Sequence, residues 1–437
     1  MKTYKDLNVY EASQERLRFI FDNFDNIYIS FSGGKDSGIL LNLVIDYMKK
    51  NNINKKVDVL FIDLECFYKK HIEYIENQLK EHASYINIYW VSLPLSTRNS
   101  VSVYEPFYIV WDIDKENLWI RKLPNNSINI NNNIFDFYKE NMSFEDFVIC
   151  FAKWYQKEKG GLCACLVGIR SDESLNRYRS LANQDKNMFM NKSYSTKISN
   201  NVYNLYPIYD WKVQDIWICN AKLNFMYNEI YDLFYKAGLS IAQMRICEPF
   251  GDDQRVSLNM YRILEPETWQ KLLLRVEGAN FGNIYCQTTA IGFKGMVLPK
   301  NHTWKSYTKF LLNTLPLDLK VRYTKKFKKY IKYWYKNGGA LSNELINQLE
   351  INNFFIKKNG ISNRGKKDKL SIRFLSVPQQ TDGIKTTGDL LSWKRMAMCI
   401  LKNDVMCKSL NFSQTKEDVF KKIKKIETAL KWSNTND

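Results

Sequence analysis

The chain is short of metal ligands. It has three histidines, His71, His82 and His302, none spaced as a pair, so a zinc site has no support. Its nine cysteines include no C-x-x-C and no small-domain spacing, which argues for reduced thiols over a disulfide framework. Neither G-x-x-x-x-G-K-[ST] nor G-x-G-x-x-G occurs, which excludes the common mononucleotide loop and the dinucleotide fingerprint. Long apolar runs are absent too. Stretches such as Ile39 to Val44 are far too short to cross a membrane. The first residues, MKTYKDLNVYEASQERL, lack the apolar centre of a signal peptide, so a cytoplasmic location without membrane association is expected.

What is present suits a two-domain globular protein: 437 residues, 45% hydrophobic and 25% charged. The charge is unevenly placed. Between Lys300 and Asp437 stand 29 Lys and Arg against 11 Asp and Glu, so the whole net charge of +18 falls in the last third. Such asymmetry points to a separate module that meets a polyanion, DNA or RNA.

The organising stretch is Ile27 to Met48. Ile27 to Phe31 is a short strand-type run, Ser32-Gly33-Gly34-Lys35-Asp36-Ser37 is a glycine-containing turn, and Leu40, Leu43, Val44 and Tyr47 recur at helical spacing. That order builds an anion site. The first amides of a helix lack internal partners, and its dipole puts positive potential there. Adjacent glycines let the backbone approach a phosphate, while Ser32, Ser37 and Lys35 add donors and charge.

Further strands are expected at Val57 to Ile62, Ile86 to Leu93 and Leu162 to Ile169, with helices at Tyr10 to Phe24, His71 to Tyr85 and Phe144 to Tyr155. Alternating strands and helices predict an α/β fold with a doubly wound, mostly parallel sheet. Ligands in such sheets sit beyond the strands' carboxyl ends, so Asp63 either faces the nucleotide or caps the next helix. Residues 96–160 read as an insertion of loops with one helix. Cys163 and Cys165 alternate with Ala164 in an apolar strand and read as packing residues. Asp210 is placed to cap a helix bearing Val213, Ile216 and Trp217. In the basic third, Tyr323, Phe327, Tyr330, Ile331 and Trp334 form one helical stripe, with lysines around the rest. The run Phe420 to Leu430 reads as a second amphipathic helix.

At Ser32 to Ser37 the chain resembles the SGGKDS loop of the ATP pyrophosphatase superfamily. The segment Gly168-Ile169-Arg170-Ser171-Asp172-Glu173-Ser174-Leu175-Asn176-Arg177 resembles the G-x-R-x-x-(E/Q)-S-x-x-R of PAPS reductases, and Pro207, Ile208, Asp210, Trp211, Asp215 and Trp217 resemble their PI-x-DW element. Gln243 to Arg255, Leu264 to Tyr285, and Ser392 to Asp404 with Phe412 to Thr415 look like the IbrA-type regulators, a subgroup with a C-terminal extension. The resemblance implies an adenine nucleotide alpha hydrolase-like fold over 1–240, continued by a connecting segment at 241–299. A basic, mainly helical domain then spans 300–437.

The resemblance also implies a nucleotide site of Ser32, Gly33, Gly34, Lys35, Asp36, Ser37, Asp63, Gly168, Arg170, Glu173 and Arg177, with Lys35, Asp36 and Arg170 catalytic. Arg170 and Arg177 are spaced so that both could reach one phosphate or sulfate; the bland alternative is surface pairing with Asp172 or Glu173. ATP or PAPS with Mg2+ is the implied ligand, cleaved at the α-phosphate. No iron–sulfur cluster is expected, since one thiol at Cys247 cannot hold one. Reductive PAPS chemistry is the alternative, weakened because the final residues ETALKWSNTND carry no counterpart of the reductases' E-C-G-x-H cysteine. A nucleotide-gated, non-catalytic DNA-associated regulator is another. The resemblance further implies a ParB/sulfiredoxin-like partner and phage-related control.

Overall fold

The computed structural model describes residues 6–102, 104–182, 186–241, 243–246, 248–251, 258–280, 298–361, 369–381, 384, 390–402 and 404–410. The chain divides into two compact units, 1–284 and 285–437.

The first unit is built on a six-stranded sheet. Its strands are β1 (Asn26–Ser30), β2 (Val57–Ile62), β3 (Ile86–Val91), β6 (Cys163–Val167), β7 (Ser195–Ser199) and β8 (Val202–Leu205), in the order β3-β2-β1-β6-β8-β7. All neighbours pair in parallel except β7 with β8. The doubly wound, mostly parallel sheet expected of the sequence is therefore present. β1 lies at its centre, so Ile27, Tyr28 and Ile29 are buried, as strands covered on both faces must be. Successive side chains point to opposite faces. Tyr28 turns toward helix α4 (Phe144–Lys159), its ring 4.7 Å from that of Tyr155. Phe31, just past the strand, meets Tyr74 of α3 (Lys69–Glu81) at 6.4 Å.

Helix α1 (Val9–Asn23) starts with a reciprocal cap between Asn8 and Glu11 and packs on α2 (Lys35–Lys50), where the Phe21 and Tyr47 rings stand 5.2 Å apart. Asp210 does not cap a helix. Both its carboxylate oxygens receive the Arg16 guanidinium, and helix α6 (Val213–Leu223) starts instead at Lys212, whose amide donates to Asp215 at 2.7 Å. The cap went to the acid three residues into the helix, leaving Asp210 to tie α1 to this segment.

The stretch 96–160 holds more than loops and α4. β4 (Leu95–Arg98) and β5 (Phe107–Val110) form an antiparallel hairpin, followed by a 3-10 turn at Ile113–Leu118. Four-residue strands joined by a long connection give too few alternations to read by periodicity. Helices α5 (Leu175–Ala182), α7 (Ile230–Lys236), α8 (Asn259–Leu264) and α9 (Pro266–Arg275) complete this unit. Cys163 and Cys165 are buried in β6, and burial pushes their thiols up to about 11 and about 12.

The second unit has helices at Trp304–Thr314, Leu317–Lys336, Asn343–Ile351 and Trp393–Leu401. The longest buries Leu319, Tyr323, Phe327, Tyr330 and Trp334, so its aromatic stripe is core. A mainly helical reading leaves out a three-stranded antiparallel sheet of Gly339–Leu341, Ile356–Ile361 and Leu370–Phe374. The strand Ile356–Ile361 reads IKKNGI, too polar to show a buried period. The expected helix at 420–430, Cys247, and Phe412 to Thr415 lie outside the described residues.

Candidate nucleotide site

β1 ends at Ser30, and the chain bends through Ser32 and Gly33 before α2 begins at Lys35. Gly33 has φ +69°, and a Cβ there would sit 2.6 Å from His71 Cε1 and 2.8 Å from Ile75. Only glycine fits both the torsion and the space. Gly34 differs: φ is −74° and the nearest atoms to a Cβ would be 3.5 Å away, an ordinary contact. It forms the helix N-cap without a side-chain cap, which suits amides kept for a ligand. Gly168 serves packing. A Cβ there would lie 2.7 Å from the Asp36 carbonyl, so its absence lets the start of α2 rest on the end of β6.

The loop is held from behind. The Ser32 amide donates to Ser37 Oγ at 3.1 Å, and the two hydroxyls are 3.0 Å apart. Asn228, buried, donates one amide proton to the Gly33 carbonyl at 3.1 Å and the other to His71 Nδ1 at 2.8 Å, while its oxygen accepts from Ile230 N. Nδ1 of His71 is thus the acceptor. Burial first, then the Arg121 charge, pushes the imidazole down to about 3 and keeps it neutral.

In front of the loop opens a cavity of about 420 Å³. One side is polar, with Ser32, Gly34, Lys35, Ser37, Arg177 and Arg245; the other is apolar, with Leu60, Ile62, Leu64, Phe67 and Phe144. The Lys35 amide donates to Tyr231 Oη at 2.9 Å, and its ammonium stands 3.2 Å from Asp36 and 3.4 Å from the Met244 carbonyl. Arg177 faces Glu173 at 3.7 Å and remains half exposed. Arg245 donates to the Glu173 carbonyl at 3.1 Å.

Of the residues singled out from the sequence, Ser32, Gly34, Lys35, Asp36, Ser37, Gly168, Glu173 and Arg177 all line this cavity, with Gly33 at the bend behind it. Arg170 and Asp63 do not line it. Arg170 is buried behind the loop and paired with Asp36, so the two arginines do not converge on one ligand. Asp63 is fully buried, bound to Arg121 and to Trp90 Nε1 at 2.8 Å; it neither faces the cavity nor caps α3, which starts after Tyr68. Sequence reasoning missed Tyr231 and Arg245, which come to the loop from roughly 200 positions away in a fold that only packing defines.

The phosphoadenosine phosphosulfate reductase domain model matches residues 26–237, the strands, loop and helices just described. A domain of unknown function (DUF3440) matches 238–421. The uncharacterized protein YbdN of Escherichia coli (strain K12) is 34% identical over 424 residues, which cover 95% of this chain and 94% of that protein. The chain belongs to the phosphoadenosine phosphosulfate reductase domain family. A PAPS reductase domain is a nucleotide-binding unit, and here it carries the DUF3440 extension. Among solved structures, the PAPS reductase of Candida auris, in a phosphate complex, is 16% identical, with 53% of this chain and 93% of that one covered and a TM-score of 0.29. The FMN adenylyltransferase of Candida glabrata is 16% identical over 51% of this chain and 57% of that one, at a TM-score of 0.30. The U34-tRNA thiolase NcsA of Methanococcus maripaludis, with its [4Fe-4S] cluster, is 11% identical over 66% and 82%, also at 0.30. No helix among the described residues is long and apolar enough to cross a membrane.

Proposed function

We propose that the chain binds ATP, or PAPS in its place, with the phosphates over Ser32 to Ser37 and the adenine against Leu60, Ile62, Leu64 and Phe67. The observation that carries this reading is the joining, in one cavity, of the start of α2, where Gly34 supplies no side-chain cap, and Lys35 with an apolar wall. On ATP, an acceptor oxygen would attack the α-phosphorus, the bond to the bridging α–β oxygen would break, and pyrophosphate would leave. Lys35 stabilises the charge that builds on that leaving group, and Arg177 and Arg245 meet the outer oxygens. Asp36 and Arg170 act as positioning residues that hold Lys35. A magnesium ion accompanying a polyphosphate needs only one or two carboxylates beside phosphate oxygens and water, and Asp36, Glu173 and Glu248 are the acids lining the cavity. When bound it would neutralise phosphate charge.

The exposed lysines of helix Leu317–Lys336, among them Lys325, Lys328 and Lys332, support nucleic acid as the partner of the second unit. A ParB/sulfiredoxin-like protein and phage-related control remain part of the same proposal. The deciding experiment incubates the protein with labelled ATP or labelled PAPS, with and without DNA, and identifies the products. Pyrophosphate and AMP from ATP, lost in Lys35→Ala, are the expected result. Sulfite from PAPS with thioredoxin would replace this reading by the reductive one, and binding without turnover would replace it by a nucleotide switch. Retained DNA binding at high salt would remove the lysine face as the contact.

A further inference from the structure

A second cavity, of about 480 Å³, opens in the first unit between the stretch 92–131 and α9. It shares no lining residue with the nucleotide cavity. The end of β2 divides the two. Ile62 and Leu64 line the nucleotide cavity, while Asp63 between them is turned to Arg121, which lines the second. Alternation along an extended chain thus gives one segment two faces with different tasks.

The lining has a definite chemistry. Arg121, Lys122 and Lys271 bring three positive charges, and Glu116 is the one carboxylate among the lining residues. Asp63 neutralises Arg121; Lys271 donates to the Ile120 carbonyl at 3.1 Å, and neither it nor Lys122 forms an ion pair with a carboxylate among the described residues. Arg121 Nε is also buried without a partner. The aromatic walls are Trp111 and Trp119, and both indole N–H groups are already spent, on the carbonyls of Asp63 and Asp112 at 2.8 Å each. They therefore offer ring surface and no polar contact. Arg121 lies over Trp111, 4.8 Å from the ring centre, which leaves the less buried Trp119 to meet a ligand. Ile113 and Ile130 line the same cavity with exposed apolar side chains.

Ammonium groups without a carboxylate counter-charge beside flat apolar walls recognise an anion carried on a ring. We infer that this cavity is a second ligand site that takes a small oxyanion, phosphate or carboxylate, borne on a planar aromatic or heterocyclic ring. The inference goes beyond the nucleotide reading and does not rest on it. Lys122 and Lys271 are exposed, so their replacement leaves the fold intact.

The test is calorimetric titration of the full chain with uridine 5′-monophosphate and with benzoate, which separate a phosphate from a carboxylate head. Uridine and inorganic phosphate are the half-ligand controls. At least one ring-bearing anion is expected to bind tenfold or more tightly than either control. That affinity should drop at least tenfold in the Lys122→Ala/Lys271→Ala variant and stay within twofold in Lys35→Ala, whose lesion is in the other cavity. Three outcomes would each overturn the site: both anions binding no better than the controls, unchanged affinity in the lysine variant, or loss of binding in Lys35→Ala.

Discussion

The Arg170 guanidinium lies against the Asp36 carboxylate, with 3% of the arginine side chain exposed. Asp36 in turn stands 3.2 Å from the Lys35 ammonium, so one carboxylate arranges two cations at the start of α2. Removing Arg170 leaves Asp36 with Lys35 as its remaining counter-charge but without a charge-assisted hydrogen bond, at a cost of about 1–3 kcal/mol. Arg170→Gln should therefore lower the unfolding free energy by about 1–3 kcal/mol and also weaken nucleotide binding. Arg177→Ala, at a half-exposed position, should weaken binding with a stability change under about 0.5 kcal/mol. Denaturant unfolding and nucleotide titration of both variants check this; equal loss of stability in the two would refute it.

The two loop glycines should behave differently. At Gly33, alanine must adopt a positive φ and push into His71 and Ile75, which predicts a loss of about 1–3 kcal/mol or more. At Gly34 the protein leaves room, so alanine should change stability by less than about 1 kcal/mol while its methyl group impedes the phosphate and weakens binding tenfold or more. Thermal unfolding beside nucleotide titration separates the two effects.

His71 makes stability fall on the acid side. Its pKa is about 3 in the fold against an ordinary 6.5, so above pH 6.5 both folded and unfolded states carry neutral imidazole. Between those values the unfolded chain takes up a proton that the fold refuses, and stability declines by about 1.4 kcal/mol per pH unit. In His71→Gln the slope between pH 6 and pH 4 should be shallower by roughly 1 kcal/mol per unit. An unchanged slope in urea titrations across that range would show the imidazole to be protonated in the native protein.

Glu65 and Arg275 form a two-pronged ion pair, both bonds 2.8 Å, with side chains 0% and 1% exposed. Glu65 also accepts the backbone N–H groups of Trp111 and Ile120. This fastens the segment after β2, the 111–120 stretch and α9 together. Arg275→Leu should cost about 3–5 kcal/mol, since it strands the carboxylate. Glu65→Leu should cost more than Arg275→Leu, because two amides lose their acceptor as well. The opposite order in chemical unfolding would mean that the amides find other partners.

Much of the first unit was legible in advance. β2 spans Val57–Ile62, as its apolar run implies, and the strand, turn and helix around Ser32 to Ser37 fall where residue type puts them. α3 ends earlier than its pattern, at Glu81, because residues 82–85 turn into β3. What failed were assignments that needed a partner to be known. Asp63 and Arg170 are charged residues beside strand ends, and the sequence alone left open whether each would meet ligand or protein. Each met a buried counter-charge, Arg121 and Asp36.

By itself, then, the sequence determined the four parallel strands at the centre of the first unit and the helices between them, the glycine that the loop requires and the lysine that follows it, because propensity, periodicity and turn chemistry act between near neighbours. Tertiary structure alone decided which charges face the cavity. It brought Tyr231 and Arg245 to the loop, turned Arg170 behind it, and paired Asp63 with Arg121. Those outcomes depend on desolvation, and a charge is buried or exposed only once distant segments have packed around it.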